Sequence, residues 1–200
     1  MSYAVAHRGA LGATAVSTSE PRAGRPQPPI YPLIVGTHGG FLQVRRSPAD
    51  GACGVHGYPC QHPGVDVNGP AGTPVHAPED GIIIDAADGS QPPWRGYGPW
   101  LVLIKGSSGL YHLLAHLDLN SRNLGPIGLA VSAGDVVGKT STANHTHWEV
   151  RKQRTPPAGQ TNQTNNLDPI TWLARASGNG LWLLLAGGAI LAALIATRTR

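Results

Sequence analysis

The chain of 200 residues is poor in aromatic side chains (6%) and in charged ones (13%), yet it holds 27 glycines and 18 prolines. That shortage of helix-supporting charge, with so many breakers, excludes a helical bundle and predicts short strands joined by turns. The net charge is only +4, and the basic residues form neither a run nor a stripe interleaved with aromatics. Nothing here tracks a phosphate backbone, so nucleic-acid binding is not expected. Cysteine is limited to Cys53 and Cys60. A bridge between them would close a short Gly-rich loop ahead of His62 and contribute roughly 2–3 kcal/mol, less strain, in an oxidising compartment. Two reduced thiols, or a structural zinc shared with His56 and His62, are the competing readings, and the disulfide is preferred. No apolar stretch follows the charged start, so a cleaved signal peptide is not expected, and no internal repeat is visible.

What the chain does have is histidine in a telling arrangement. His145-Thr146-His147 places two imidazoles at i and i+2, and on a strand such residues project from one face, able to aim at one point. Far upstream stands His62-Pro63-Gly64-Val65-Asp66. An open catalytic zinc takes three protein ligands from His, Asp and Glu and leaves its fourth position to water. His62, Asp66 and His147 meet that count.

From about Gly39 to Gln153 these and further motifs occur in an order that resembles the lysostaphin-like, or LytM-like, zinc metallopeptidases. They are the His62–Asp66 segment, Gly72-Thr73-Pro74-Val75-His76-Ala77, Gly96-Tyr97-Gly98, Ala115-His116-Leu117, Val131 to Gly138, and His145-Thr146-His147-Trp148-Glu149-Val150. The resemblance implies a mainly β fold, an antiparallel sheet or sandwich domain, and zinc held by His62, Asp66 and His147. It implies His116 and His145 as catalytic histidines that do not bind the metal, and peptide bonds of bacterial peptidoglycan as the substrate. Two departures bear on specificity. The connection Lys139–Asn144 is shorter than is common in relatives, and an insert, Gly89 to Arg95, is expected to form an exposed loop beside the site.

The same reading divides the chain into a Pro-rich arm (1–30), a metallopeptidase domain (31–176), a transmembrane anchor (177–197) and a basic tail (198–200). Strands are expected over Gly81–Ala86, Trp100–Ile104, Leu110–Leu117 and His147–Arg151, which are short, apolar or alternating, and bounded by turn formers. Asp168 and Pro169 form an N-cap and first-turn pair for a short helix over Ile170–Ala176. Leu181 to Ala196 contains no charged or polar side chain, and at about 1.5 Å rise per residue it spans somewhat less than a roughly 30 Å hydrocarbon core, a short but feasible C-terminal transmembrane helix with little tilt. A buried core helix is the alternative. Gly188 and Ala192 have a small-xxx-small spacing that suits self-association. Arg198 and Arg200 against Arg175 favour a cytoplasmic C-terminus, with the domain on the other side. Without an export signal, one expectation is a phage protein carried in a virion membrane, with virion proteins as partners.

Amide hydrolysis needs an activated water and a stabiliser for the charge that develops on the carbonyl oxygen. Zinc supplies both, and histidine titrates in the range needed to move the proton. Whether His116 or His145 is the base stays open. His112 shares strand parity with His116 and is read as a surface or satisfied core residue. Tyr97 and Trp94 are candidates for lining the cleft, and Glu149 for orienting a ligand imidazole or for lying in solvent. The expectation is a membrane-anchored zinc endopeptidase at the cell envelope or in a virion membrane. The alternatives are an inert wall-binding or hydrolase-activating member of the same fold, and a structural virion membrane protein.

Overall fold

Alternation in the sequence becomes strand wherever a run can be buried on at least one face. The computed structural model describes residues 14–16, 24–31, 33–36, 39–47, 60–154 and 165–177. Cys53, the apolar run 181–196 and the tail 198–200 lie outside the described residues. The strands are β1 (Thr14–Val16), β2 (Leu33–Val35), β3 (Val44–Arg45), β4 (Cys60–Gln61), β5 (Val65–Asn68), β6 (Pro74–His76), β7 (Gly81–Ala87), β8 (Trp100–Gly106), β9 (Tyr111–Leu117), β10 (Ala130–Val131), β11 (Val136–Lys139), β12 (His145–Arg151) and β13 (Asn166–Leu167). One helix, α1 (Pro169–Ala176), follows. Its N-cap Asp168 accepts a hydrogen bond from the Ile170 amide, as the Asp-Pro pair predicts. No helix among the described residues is long and apolar enough to cross a membrane.

Nine strands pair into one antiparallel sheet in the order β1-β2-β5-β12-β9-β8-β7-β10, with β13 also on β12. β6 with β11, and β3 with β4, make two-stranded ribbons. On one face of the main sheet, Val67, Leu114, Trp148 and Val150 pack with Val75 and Val137 of the β6–β11 ribbon and with Trp172 and Leu173 of α1. The second layer is therefore a ribbon and a helix, not a full second sheet. Trp148 anchors this core with no exposed surface, and truncating it to alanine would cost roughly 3–5 kcal/mol. The other face holds a smaller cluster of Leu101, Leu103, Leu113, Ala115 and Trp94. The insert is largely exposed, but Trp94 turns inward to join that cluster. It does not line the cleft, because burying its ring removes far more apolar surface from water than any other insert side chain offers.

Two backbone details aim the functional residues. β5 and β12 run antiparallel with His147 opposite Asp66, and just before β5 a Cβ at Gly64 would overlap the Trp148 carbonyl oxygen. Glycine there lets β5 close onto β12. On β9, the register with β8 slips between the Trp100–Leu117 and Val102–Leu114 pairs, and His116 sits within the slip at φ 58°. A left-handed residue at a bulge breaks the two-residue alternation. His116 is thereby turned from the face that its parity assigns.

At the chain's start, Gln27 and Ile30 are buried, and the Gln27 amide donates to the Pro78 carbonyl at 2.8 Å. Cys60 is disulfide-bonded.

Candidate metal centre

Each of the three expected ligands comes from a different local device. His62 leads into β5, and Asp66 follows four residues later on that strand. His147 lies on β12, directly across from Asp66. Their polar atoms converge: His62 Nε2 lies 3.2 Å from Asp66 Oδ1, His147 Nδ1 lies 2.9 Å from the same oxygen, and the two nitrogens are 2.8 Å apart. Around a tetrahedral zinc with bonds of about 2.0–2.1 Å, ligand atoms sit roughly 3.3 Å apart. The observed gaps of 2.8 to 3.2 Å are within about half an ångström of that.

The hydrogen bonds on the outer side of each ligand determine which atoms face inward. His62 Nδ1 donates to the Gly40 carbonyl at 3.1 Å, which leaves Nε2 with its lone pair. His147 Nε2 donates to Glu149 Oε1 at 2.9 Å, which leaves Nδ1. Arg45 Nη2 donates to Asp66 Oδ2 at 2.9 Å, which leaves Oδ1. Three unshared pairs therefore point at one another, and such a set needs a cation between them. The donor chemistry of two imidazoles and one carboxylate fits zinc. This cluster is also the group of three ligand-type side chains close enough to share an ion among the described residues.

The electrostatics agree. Burial pushes the Asp66 carboxyl up, but hydrogen bonds from His147 and His62 overcome this and hold it far below the usual range. Burial likewise disfavours the His147 imidazolium, yet Asp66 and Glu149 outweigh it and raise that group to about 9. Without a metal, a proton occupies the place of the cation. His62 is shifted the other way, chiefly by burial.

His145 and His116 flank the cluster. The His145 Nε2 lies 3.9 Å from Asp66 Oδ1, and the His116 ring centroid is 4.9 Å from that of His145 and 6.1 Å from that of His147. His116 Nδ1 donates to the Gly98 carbonyl at 2.6 Å, and His145 Nδ1 donates to the Ala143 carbonyl at 2.8 Å. In their neutral forms both rings therefore carry the lone pair on Nε2. Burial, with the charge of His147, lowers His116 to about 4, so it is neutral at pH 7.

Sequence parity paired His112 with His116, but the two lie on opposite faces. His112 is wholly buried in the main core, its Nε2 donating to Glu79 at 2.7 Å and its Nδ1 accepting from Trp148 at 3.3 Å. Glu149 is likewise fully buried. Besides His147 it accepts hydrogen bonds from the Tyr97 hydroxyl at 2.7 Å and from Arg151 Nε at 2.6 Å. Tyr97, half-buried with its ring centroid 5.6 Å from that of His147, thus supports the ligand through Glu149, and its hydroxyl also accepts from Arg151 Nη2 at 3.0 Å. The Arg151 guanidinium stands 5.6 Å from the Trp94 ring centroid and 5.7 Å from that of Tyr97. Arg45 and Arg151 were not singled out from the sequence, where a buried, carboxylate-paired arginine looks like any surface one.

Residues 60–162 match Peptidase family M23. The chain is 36% identical over 95 residues to the DD-carboxypeptidase/endopeptidase Mpg of Neisseria meningitidis serogroup B, covering 45% of this chain and 20% of that protein. It thus spans about a fifth of the length of the curated relatives it matches. Among solved structures, cbpa from L. salivarius REN superposes with a TM-score of 0.52 at 17% identity, over 78% of this chain and 98% of that one. A zinc containing peptidase from Vibrio cholerae gives a TM-score of 0.50 at 22% identity, over 75% of this chain and 40% of that one. Both structural likenesses concern the fold.

Proposed function

The chain belongs to peptidase family M23, and from that premise we propose that it is a zinc-dependent endopeptidase hydrolysing peptide bonds in bacterial peptidoglycan. One observation carries the reading. His62 Nε2, Asp66 Oδ1 and His147 Nδ1 converge to within 3.2 Å of one another, each with its outer atom already spent on Gly40, Arg45 or Glu149. The resemblance to wall-cutting metallopeptidases supplies the substrate class, and the similar Neisseria protein is a DD-carboxypeptidase/endopeptidase.

When bound, zinc supplies Lewis acidity for the scissile carbonyl and acidifies water. The protein's own residues supply the rest. His116, neutral at physiological pH and fixed by Gly98 with Nε2 unprotonated, accepts the proton of the attacking water. His145, beside it with 27% of its side chain exposed, flanks the site on the solvent side, and its Nε2, once protonated, donates to the developing oxyanion. Arg45 holds Asp66 Oδ2 and so turns Oδ1 inward. The inert alternative is disfavoured because the ligand positions and both flanking histidines are filled. We also propose that the apolar run 181–196, outside the described residues, holds the enzyme at a membrane, which detergent-dependent extraction of the full chain tests.

Incubation of the protein with purified sacculi, followed by mass spectrometry of the released muropeptides, tests the activity. Peptide-bond cleavage that stops with a chelator and returns with zinc supports the proposal. Intact sacculi in the presence of zinc refute it.

A further inference from the structure

Beyond the matched residues 60–162, β13 adds a short rung to β12, with Asn166 opposite Arg151. The Asn166 side chain is buried, with 5% exposure of the residue, and its amide nitrogen has two acceptors. One is Glu149 Oε2 at 2.8 Å, the carboxylate that holds ligand His147. The other is the carbonyl of Pro63, the residue that follows ligand His62, at 2.7 Å. Its amide oxygen accepts from Asn165 Nδ2 at 3.0 Å. Both hydrogens and the oxygen are thus used, and since neither a carbonyl nor an ionised carboxylate can donate, the orientation of the amide is settled.

We propose that Asn166 is a positioning residue of the metal centre, a clamp that ties the backbone beside His62 to the carboxylate behind His147 and so sets the separation of the two ligand imidazoles. The inference rests on the proposed zinc reading and extends the site into the chain that follows the matched domain. His62 and His147 come from segments 85 residues apart, and without a cation no bond to a shared centre sets their spacing. A single amide bonded to both supports fixes that spacing at little entropic cost, because an Asn buried between two acceptors has no other rotamer that satisfies them. Aspartate has the same shape and reverses the chemistry. It would place a second carboxylate against Glu149 and an acceptor against the Pro63 carbonyl.

The test compares the full chain with Asn166→Asp and Asn166→Ala by three measurements: zinc affinity from chelator competition, the visible spectrum of the cobalt-substituted protein, and the melting temperature of the metal-free protein. Loss of a partner that orients a metal ligand typically weakens metal binding roughly 10- to 100-fold. Asn166→Asp is expected within that range and Asn166→Ala near its lower end, both with a changed cobalt spectrum. A merely structural asparagine would lower the metal-free melting temperature while the folded protein bound zinc as tightly as the parent, with an unchanged spectrum. That result overturns the inference alone. A parent chain that takes up no zinc overturns the proposed function, and the clamp with it.

Discussion

His147 donates its Nε2 hydrogen to Glu149 across 2.9 Å, two residues along the same strand, and Glu149 has no exposed surface. The strand's two-residue period thus places a ligand and its orienting carboxylate side by side. Arg151, two residues further, neutralises that carboxylate, and with burial opposing them Arg151 and His147 hold Glu149 well below the usual range. Replacing it as Glu149→Gln keeps an acceptor for His147 but removes the charge. Zinc affinity, measured by chelator competition, is expected to weaken roughly 10- to 100-fold. Glu79→Gln, which alters the carboxylate paired with His112 on the opposite face, is expected to leave zinc affinity unchanged.

Zinc uptake should be coupled to proton release. Metal-free His147 titrates at about 9 and is therefore protonated at pH 7, whereas burial keeps His62 below its ordinary value and Asp66 is already ionised. Zinc must displace about one proton, so its apparent affinity should strengthen roughly tenfold for each pH unit between about 6.5 and 8.5. Calorimetry in buffers of different ionisation enthalpy would count that proton. An affinity independent of pH across this range would contradict the assignment.

His116 pays for its orientation with a left-handed backbone at φ 58°, a conformation that costs a non-glycine residue roughly 1–2 kcal/mol. Both His116→Gly and His116→Ala should retain zinc and lose nearly all turnover. The glycine variant should nonetheless be the more stable of the two, by about 1 kcal/mol in chemical denaturation, reversing the usual order. Equal stability would mean that the bulge does not hold this geometry in solution.

Acid should destabilise the metal-free protein through the His112–Glu79 pair. Burial lowers His112 from its ordinary 6.5, and, with burial opposing it, the His112 hydrogen bond lowers Glu79 from 4.5. The unfolded chain therefore binds protons that the folded chain refuses, first below about 6.5 and then below about 4.5. Stability is fully present above those values and is lost as the pH falls. Between pH 7.5 and 5.5 the parent should lose more stability than His112→Gln, whose amide donates to Glu79 without titrating. Parallel losses in the two proteins would remove His112 from this role.

Each half of the candidate ligand set was legible because its spacing is local. Two residues along β12 and four residues into β5 mark the two halves, His145 with His147 and His62 with Asp66; the family resemblance joined them and the β5–β12 pairing brings them together, while the β-rich fold followed from alternation and turn formers. The face of His116 was not legible, since alternation grouped it with His112 and only the register slip against β8 separates them. Trp94 and Tyr97 looked like cleft aromatics because turns are usually exposed, yet the small cluster beneath the site draws both inward. Arg45, Arg151 and Asn166 left no signal at all. Each matters through partners in other segments, Arg45 through Asp66, Arg151 through Tyr97 and Asn166 through Glu149 and Pro63, and that choice is decided by packing across the sheet, which no sequence period encodes.

The most direct test is the zinc content of the full chain and five single variants, measured by elemental analysis after removal of loosely bound metal. The account predicts about one zinc per chain in the parent, in His116→Ala and in His145→Ala, and little or none in His62→Ala, Asp66→Ala and His147→Ala. Equal retention in all five, or equal loss, would contradict it.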